Sequence, residues 1–151
     1  MKIQHMAFAV NDAYEALSKY QGMLPGLTGA NVTDFEGSRT RVAQFWIGDV
    51  EYQLCQSLDQ GGRFDAWIKT RHAEGLHHIC YAVASIDAAL ETSLSNGASL
   101  RKCQACKISG SHPHPEGFVA FVDADPGGVE VEYMQLYTAR ERMEHANVSD
   151  V

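Results

Sequence analysis

Two histidines and two oxygen-bearing side chains occupy matching places in a repeat that runs through this 151-residue chain. His5-Met6-Ala7-Phe8-Ala9-Val10 returns as His78-Ile79-Cys80-Tyr81-Ala82-Val83. Further on, Gly48-Asp49-Val50-Glu51-Tyr52-Gln53-Leu54-Cys55-Gln56 returns as Gly127-Gly128-Val129-Glu130-Val131-Glu132-Tyr133-Met134-Gln135. Each half thus offers one imidazole from an early strand and one amide or carboxylate from a late strand. Two imidazoles, an amide and a carboxylate are a suitable donor set for one divalent metal ion. Either repeat is short enough to arise by chance, but their shared order argues against it.

Strand side chains alternate between faces, so parity assigns each residue a side. His5 shares a face with Ala7 and Ala9, and His78 with Cys80 and Ala82, while Met6, Phe8, Val10, Ile79, Tyr81 and Val83 turn the other way. Gln53 lies with Glu51 and Cys55, and Glu132 with Glu130 and Met134, opposite Val50, Tyr52, Leu54, Val129, Val131 and Tyr133. One face of each half therefore reads as an open polar cup and the other as core. His77 points away from the cup by the same parity and is excluded as a ligand. Burying a carboxylate with two imidazoles costs several kcal/mol, by order of magnitude, unless a cation compensates.

The elements that must carry these groups follow in the same order twice. In the first half, alternation predicts a strand over 2–10. A helix follows from Asp12, with Asp12 and Glu15 at capping spacing and Ala13, Ala16, Leu17 and Tyr20 on one face. Strands are expected near 27–33, 41–47 and 50–56. The second half repeats this with a strand over 76–83 and a helix capped at Ser85. Its inward residues read as Ile86, Ala89, Leu90 and Leu94, and strands follow near 99–108, 117–122 and 129–135. The expected organisation is one domain of two modules, about 1–57 and 76–137, with a linker over 58–75 and a terminal helix over 138–146. The second half is longer by six residues, since His78 follows His5 by 73 positions whereas Glu132 follows Gln53 by 79. The extra residues fall most simply in 109–116 and the 123–126 turn.

Composition narrows the class. Hydrophobic residues make up 45% and charged residues 21%, with a net charge of -7 and no basic stripe. Duplex nucleic acid is an unsuitable partner for such a surface. No apolar run is long enough for a bilayer span and the N-terminus lacks an export-signal layout, so a cytoplasmic protein without a membrane partner is expected. Cys55, Cys80, Cys103 and Cys106 then read as reduced thiols. Cys103-Gln104-Ala105-Cys106 is a CxxC with no second cysteine pair, and reads as ordinary packing or surface residues.

At this point the chain resembles the vicinal oxygen chelate superfamily, the group of glyoxalases, bleomycin-resistance proteins and extradiol dioxygenases, with most likeness to its methylmalonyl-CoA epimerase branch. The likeness spans about residues 2–136. It rests on the His5 strand, on Ile47-Gly48-Asp49-Val50-Glu51-Tyr52-Gln53-Leu54, on Phe64-Asp65-Ala66-Trp67-Ile68 running to Gly75-Leu76-His77-His78-Ile79-Cys80, and on Gly127-Gly128-Val129-Glu130-Val131-Glu132. The resemblance implies an α+β fold of two βαβββ modules forming a half-open mixed barrel around one divalent ion (Co, Zn, Ni, Mn or Fe). It places His5, Gln53, His78 and Glu132 as metal ligands. It also implies an isomerase or lyase that moves a proton at carbon beside a carbonyl through a metal-stabilised enolate, epimerase-like or glyoxalase I-like, with Glu132 as the catalytic carboxylate. Substrates of that type are acyl-CoA thioesters or 2-oxoaldehyde adducts, and the family resemblance implies a homodimer.

One departure stands out. A two-base epimerase can place a second carboxylate on the third strand, where this chain has Val42 flanked on the same face by Gln44 and Trp46, neither of them an effective base. Glu51 or Glu130 would then have to reach in from the rim. Phe118, Ala120 and Val122 are expected to wall the cup opposite Val42, Gln44 and Trp46. His112 and His114, in the 109–117 loop where the family has an entrance, are candidates to donate a proton or bind an acyl oxygen. Arg101, Lys102 and Lys107 form either a lip for an anionic tail or a solvated edge. Two other classes fit part of the pattern. A non-haem iron dioxygenase would use His5, His78 and Glu132 with open positions. A bleomycin-resistance-type binding protein would use the aromatic walls without metal.

Overall fold

A computed structural model describes residues 1–123 and 127–148, so residues 124–126 of the suspected turn lie outside the described part. The described residues form nine strands and four helices, an α+β architecture as expected. The chain divides into two compact units, residues 5–78 and residues 1–4 with 79–151.

In the first unit, strand β1 (Lys2–Ala9) leads to helix α1 (Ala13–Met23), then to β2 (Thr28–Phe35), β3 (Thr40–Ile47) and β4 (Val50–Ser57). The strands lie in the order β2-β3-β4-β1, with β1 parallel to β4 and the other pairs antiparallel. Asp12 caps α1 by accepting the Glu15 N–H at 2.9 Å, which satisfies one of the four free donors at the helix start. The side of the sheet carrying Phe8, Val10, Ala43, Phe45 and Leu54 packs under α1 through Ala13 and Leu17. Phe45 and Tyr52 stack at 5.0 Å within that core.

Helix α2 (Arg63–Arg71) covers part of the opposite face. Phe64, Trp67 and Ile68 pack over Ala7, Ala9, Val42 and Cys55, so the side read as an open cup carries a small core of its own. Val42 is part of that apolar cluster. Small residues on β1 make the close approach of α2 possible, and the Ser57 hydroxyl accepts the Phe64 N–H at 3.0 Å to anchor the helix start.

In the second unit, β5 (Gly75–Ala82, shared between the units) is followed by α3 (Ile86–Ser95), capped by Ser85, and by β6 (Ser99–Arg101), β7 (His112–Pro113), β8 (Gly117–Asp123), β9 (Glu130–Leu136) and α4 (Ala139–Glu144). The order is β9-β8-β6, all antiparallel, with the two-residue β7 paired to β8. The Val83 N–H bonds the Met134 carbonyl at 2.9 Å, bringing the end of β5 beside β9. Thr138 and Glu141 form a capping box at α4.

Three local expectations need correction. The strand expected over 99–108 stops at Arg101, because the chain turns over at residues 104–106 and bridges Lys102 to Ser109. Leu94, expected to face inward, is 40% exposed at the end of α3. The β8 wall is out of phase by one residue. Glu132 pairs with Phe121 and Met134 with Val119, so it is Val119 and Phe121 that share the face of Cys80 and Met134. Phe118 instead packs edge-on against Tyr137 at 5.1 Å and His145 at 5.3 Å, away from the expected cup. No helix among the described residues is long and apolar enough to cross a membrane.

Candidate metal centre and its surroundings

The histidines of the two repeat strands meet. His5 and His78 approach Nε2 to Nε2 at 3.3 Å with their rings edge-to-face, and both are buried. Two nitrogens bound to one ion at ~2.0–2.1 Å each stand roughly 3.0–3.4 Å apart in octahedral or tetrahedral geometry, so the observed gap suits a shared cation. In the absence of a cation, burial foremost, then the nearby Arg63, His5 and His77, hold the His78 imidazole well below its usual 6.5. A neutral ring with a free lone pair is the form that binds metal.

His77, set aside on parity, lies directly behind this pair. Its Nδ1 is 2.9 Å from His78 Nδ1, and it is wedged edge-on against Phe64 at 4.9 Å and tilted against Trp67 at 5.5 Å. It holds the far nitrogen of His78, the arrangement that fixes the orientation of a metal-bound imidazole. Strand alternation alone could not show this, because it gives the side on which each residue leaves the strand and not where the ring nitrogens of two adjacent histidines end up. The adjacent aromatic residues of 64–68 were the available signal.

On β4 the amide of Gln53 is oriented by Glu51. The Gln53 Nε2 donates to Glu51 Oε1 at 2.9 Å, and the Gln44 Nε2 donates to the same oxygen at 2.6 Å. The donor nitrogen of the Gln53 amide is thereby engaged, and its Oε1 is the atom that could serve as a ligand. Ala7 stands opposite Gln53 in the parallel pairing, and His5 opposite Glu51, so a residue without bulk separates the amide from the imidazole. Trp46 lies flat against Gly29, whose added Cβ would come within 2.8 Å of the indole. Gly29 has φ 64°, in the region that glycine tolerates best.

Glu132 belongs to the second unit, where it is 4% exposed on β9 opposite Phe121. Glu130, a candidate to reach in from the rim, is instead paired with Arg101 at 3.1 Å. The Arg101 side chain that makes this contact remains 38% exposed. His112 is 3% exposed and paired on β7 to Val119, and His112 and His114 each offer a ligand atom beside those of Cys103 and Cys106.

Two facing imidazoles at matching places of a repeated strand-helix-strand pattern point to a class, and the sequence comparison agrees with it. Residues 4–118 match the family model of the glyoxalase/bleomycin resistance protein/dioxygenase superfamily, and the chain belongs to that superfamily. Within it the relatives are epimerases. The chain is 29% identical over 131 residues to the ethylmalonyl-CoA/methylmalonyl-CoA epimerase of Cereibacter sphaeroides, covering 87% of this chain and 96% of that protein. It is 28% identical over 134 residues to the mitochondrial methylmalonyl-CoA epimerase of Homo sapiens, covering 89% and 73%. The fold of methylmalonyl-CoA epimerase from Mycobacterium tuberculosis superposes with a TM-score of 0.71 at 19% identity, over 93% of this chain and 91% of that one.

Proposed function

We propose that this protein is a metal-dependent epimerase of acyl-CoA thioesters that exchanges the proton at the carbon beside the thioester carbonyl. The observation that carries the reading is the buried His5–His78 pair, 3.3 Å apart on equivalent strands, in a chain homologous to methylmalonyl-CoA epimerases. His5, Gln53 and His78, with Glu132, are the proposed ligands, and the donor set of two imidazoles, an amide oxygen and a carboxylate suits Co, Zn, Ni, Mn or Fe in the divalent state. When bound, such an ion supplies Lewis acidity that lowers the cost of charge on a carbonyl oxygen.

The protein's own groups do the rest. Glu132 is the proposed base that takes the proton and returns it. Its burial keeps competing water from the carboxylate. Val42 stands where a second base would be, and its apolar packing with Phe64 and Ala7 leaves no acid on that strand, which assigns both removal and return to one carboxylate. Gln44 and Glu51 hold the Gln53 amide in place, and His77 holds His78.

The test is incubation of the metal-replete protein with a single epimer of methylmalonyl-CoA in deuterium oxide, followed by mass spectrometry and chiral analysis. Inversion is expected, with the deuterium taken up reporting how often the proton on Glu132 exchanges with solvent before its return, and Glu132→Gln should slow inversion at least ~100-fold, the usual scale for a lost general base. Substrate recovered unlabelled and uninverted after exposure to each candidate metal would overturn the assignment.

A further inference from the structure

A second cluster of metal-ligating side chains lies wholly within the second unit, and the proposed epimerisation makes no use of it. Cys103, Cys106, His112 and His114 each offer one ligand atom, all four atoms lying within 4.8 Å of one another. His114 Nε2 is 3.1 Å from Cys106 Sγ and 3.6 Å from Cys103 Sγ. Around a tetrahedral zinc with Zn–S of ~2.3 Å and Zn–N of ~2.0 Å, neighbouring ligand atoms stand about 3.3–3.8 Å apart. The cluster is near that spacing already.

Two further observations point to a ligand. His112 is 3% exposed, its Nδ1–H donates to the Gly110 carbonyl at 2.8 Å, and its Nε2 is buried with no hydrogen-bond partner among the described residues. A ring whose Nδ1 proton is held by a backbone carbonyl presents a lone pair at Nε2, which is how protein imidazoles are set for metal. A buried nitrogen without a partner is costly unless something occupies that side. The cysteine turn also holds the two sulfurs together. The Cys106 N–H points at Cys103 Sγ at 3.4 Å, the Cys103 carbonyl accepts the Lys107 N–H at 3.0 Å, and Lys107 adopts φ 63° to close the turn. Without a cation, burial foremost and then Cys103 push the Cys106 thiol up to about 11, so a metal would displace its proton on binding.

We propose that Cys103, Cys106, His112 and His114 form a structural zinc site that fastens the 102–114 segment onto the sheet of the second unit. All four positions are filled by protein atoms of the two-cysteine, two-histidine type, leaving no open position for substrate, so the site is structural and not catalytic. Its place explains its use. In the first unit the side of the sheet beside Ala7, Ala9, Val42 and Cys55 is covered by Phe64 of α2. In the second unit the corresponding side, with Cys80, Val119, Phe121 and Met134, is covered by Cys103, with Ala105 and Cys106 packed against it, and no helix among the described residues contributes to that cluster. The metal replaces the missing helix, and the extra residues of the second half provide the two histidines.

Cobalt(II) added to the reduced, metal-free full chain tests this, because only thiolate ligands give an intense near-ultraviolet charge-transfer band. The band is expected in the wild type. It is also expected in His78→Ala, which is aimed at the other cluster, and should be lost in Cys103→Ser/Cys106→Ser. Zinc should raise the thermal midpoint of His78→Ala, with about one equivalent retained through dialysis and competed off only by strong chelators. A wild-type cobalt spectrum without the thiolate band overturns the proposal whether or not the variants fold, and so does a band that persists in the double cysteine variant. Because this readout is spectroscopic and not enzymatic, failure of the epimerase assay leaves it standing, and its failure leaves the epimerase reading standing.

Discussion

Burial and the neighbouring cations make His78 the side chain whose protonation matters most to the folded state. Its imidazole is held well below 6.5 in the fold, whereas the unfolded chain takes up a proton near that value. A group with a depressed folded pKa contributes stability that is complete above the unfolded value and is lost as pH falls from there toward the folded one. The metal-free protein should therefore show a urea midpoint that is steady above about pH 7 and declines below 6.5. His78→Asn should decline less steeply over the same interval, and equal slopes in the two proteins would refute the role given to this ring. Asp34 behaves in the same sense on a smaller scale, since Arg41 beside it lowers its carboxyl, but it is exposed and solvent screens the pair. The repeat singled out His5 and His78, which the structure brings together, because the same residue recurs at matching places, and it proposed Gln53 and Glu132 because an amide answers a carboxylate at the other pair of places. His77 was not legible as the support of His78, because alternation describes where a side chain leaves the strand and not how far its ring reaches.

At the scale of elements, each unit covers one side of its own sheet by a different device, and each can be perturbed separately. Phe64 is the buried contact by which α2 covers Ala7, Ala9, Val42 and Cys55, so Phe64→Ala should cost about 3–5 kcal/mol in chemical denaturation. It should also loosen His77, which leans on the same ring at 4.9 Å, and so weaken metal binding at the His5–His78 pair as measured by chelator competition. Gly117 opens β8 where an added Cβ would lie 2.3 Å from the Gln135 carbonyl oxygen, a backbone atom that cannot swing aside. Gly117→Ala should cost at least ~1–3 kcal/mol, the scale of overpacking, and a variant as stable as wild type would show that β8 and β9 tolerate separation. The phase of β8 shows why sequence pattern runs out here. Phe118-Val119-Ala120-Phe121-Val122 is apolar on both faces, so period-2 reading has nothing to choose by, and only the register that sets Phe121 opposite Glu132 decides it. In β3 and β4, polar Gln44, Glu51 and Gln53 interrupt the apolar residues and the phase was readable. The histidine pair that completes the CxxC was hidden for a related reason: His112 and His114 are brought to Cys103 by a turn and a bridge, and spacing along the chain does not encode that meeting.

For the whole molecule, charge sets an expectation opposite to the usual steering of an enzyme toward its substrate. The chain carries -7 at neutral pH, and an acyl-CoA thioester is itself strongly anionic through its phosphates. Arg101, the basic side chain best placed on an edge strand to offset this, is taken up by Glu130 at 3.1 Å and lies 3.9 Å from Asp123. Approach of substrate is then slowed by long-range repulsion that salt removes, since the screening length shrinks from about 30 Å at 0.01 M to about 8 Å at 0.15 M. The kcat/KM of the proposed epimerisation should rise a few-fold over that interval, with kcat unchanged, because screening acts on encounter and not on the buried Glu132. A neutral truncated thioester without the nucleotide phosphates should show no such rise. If kcat/KM falls with salt for the full thioester, local cations outweigh the net charge and a basic docking surface for the phosphates exists; Lys102 and Lys107 would then be the first residues to replace with glutamine.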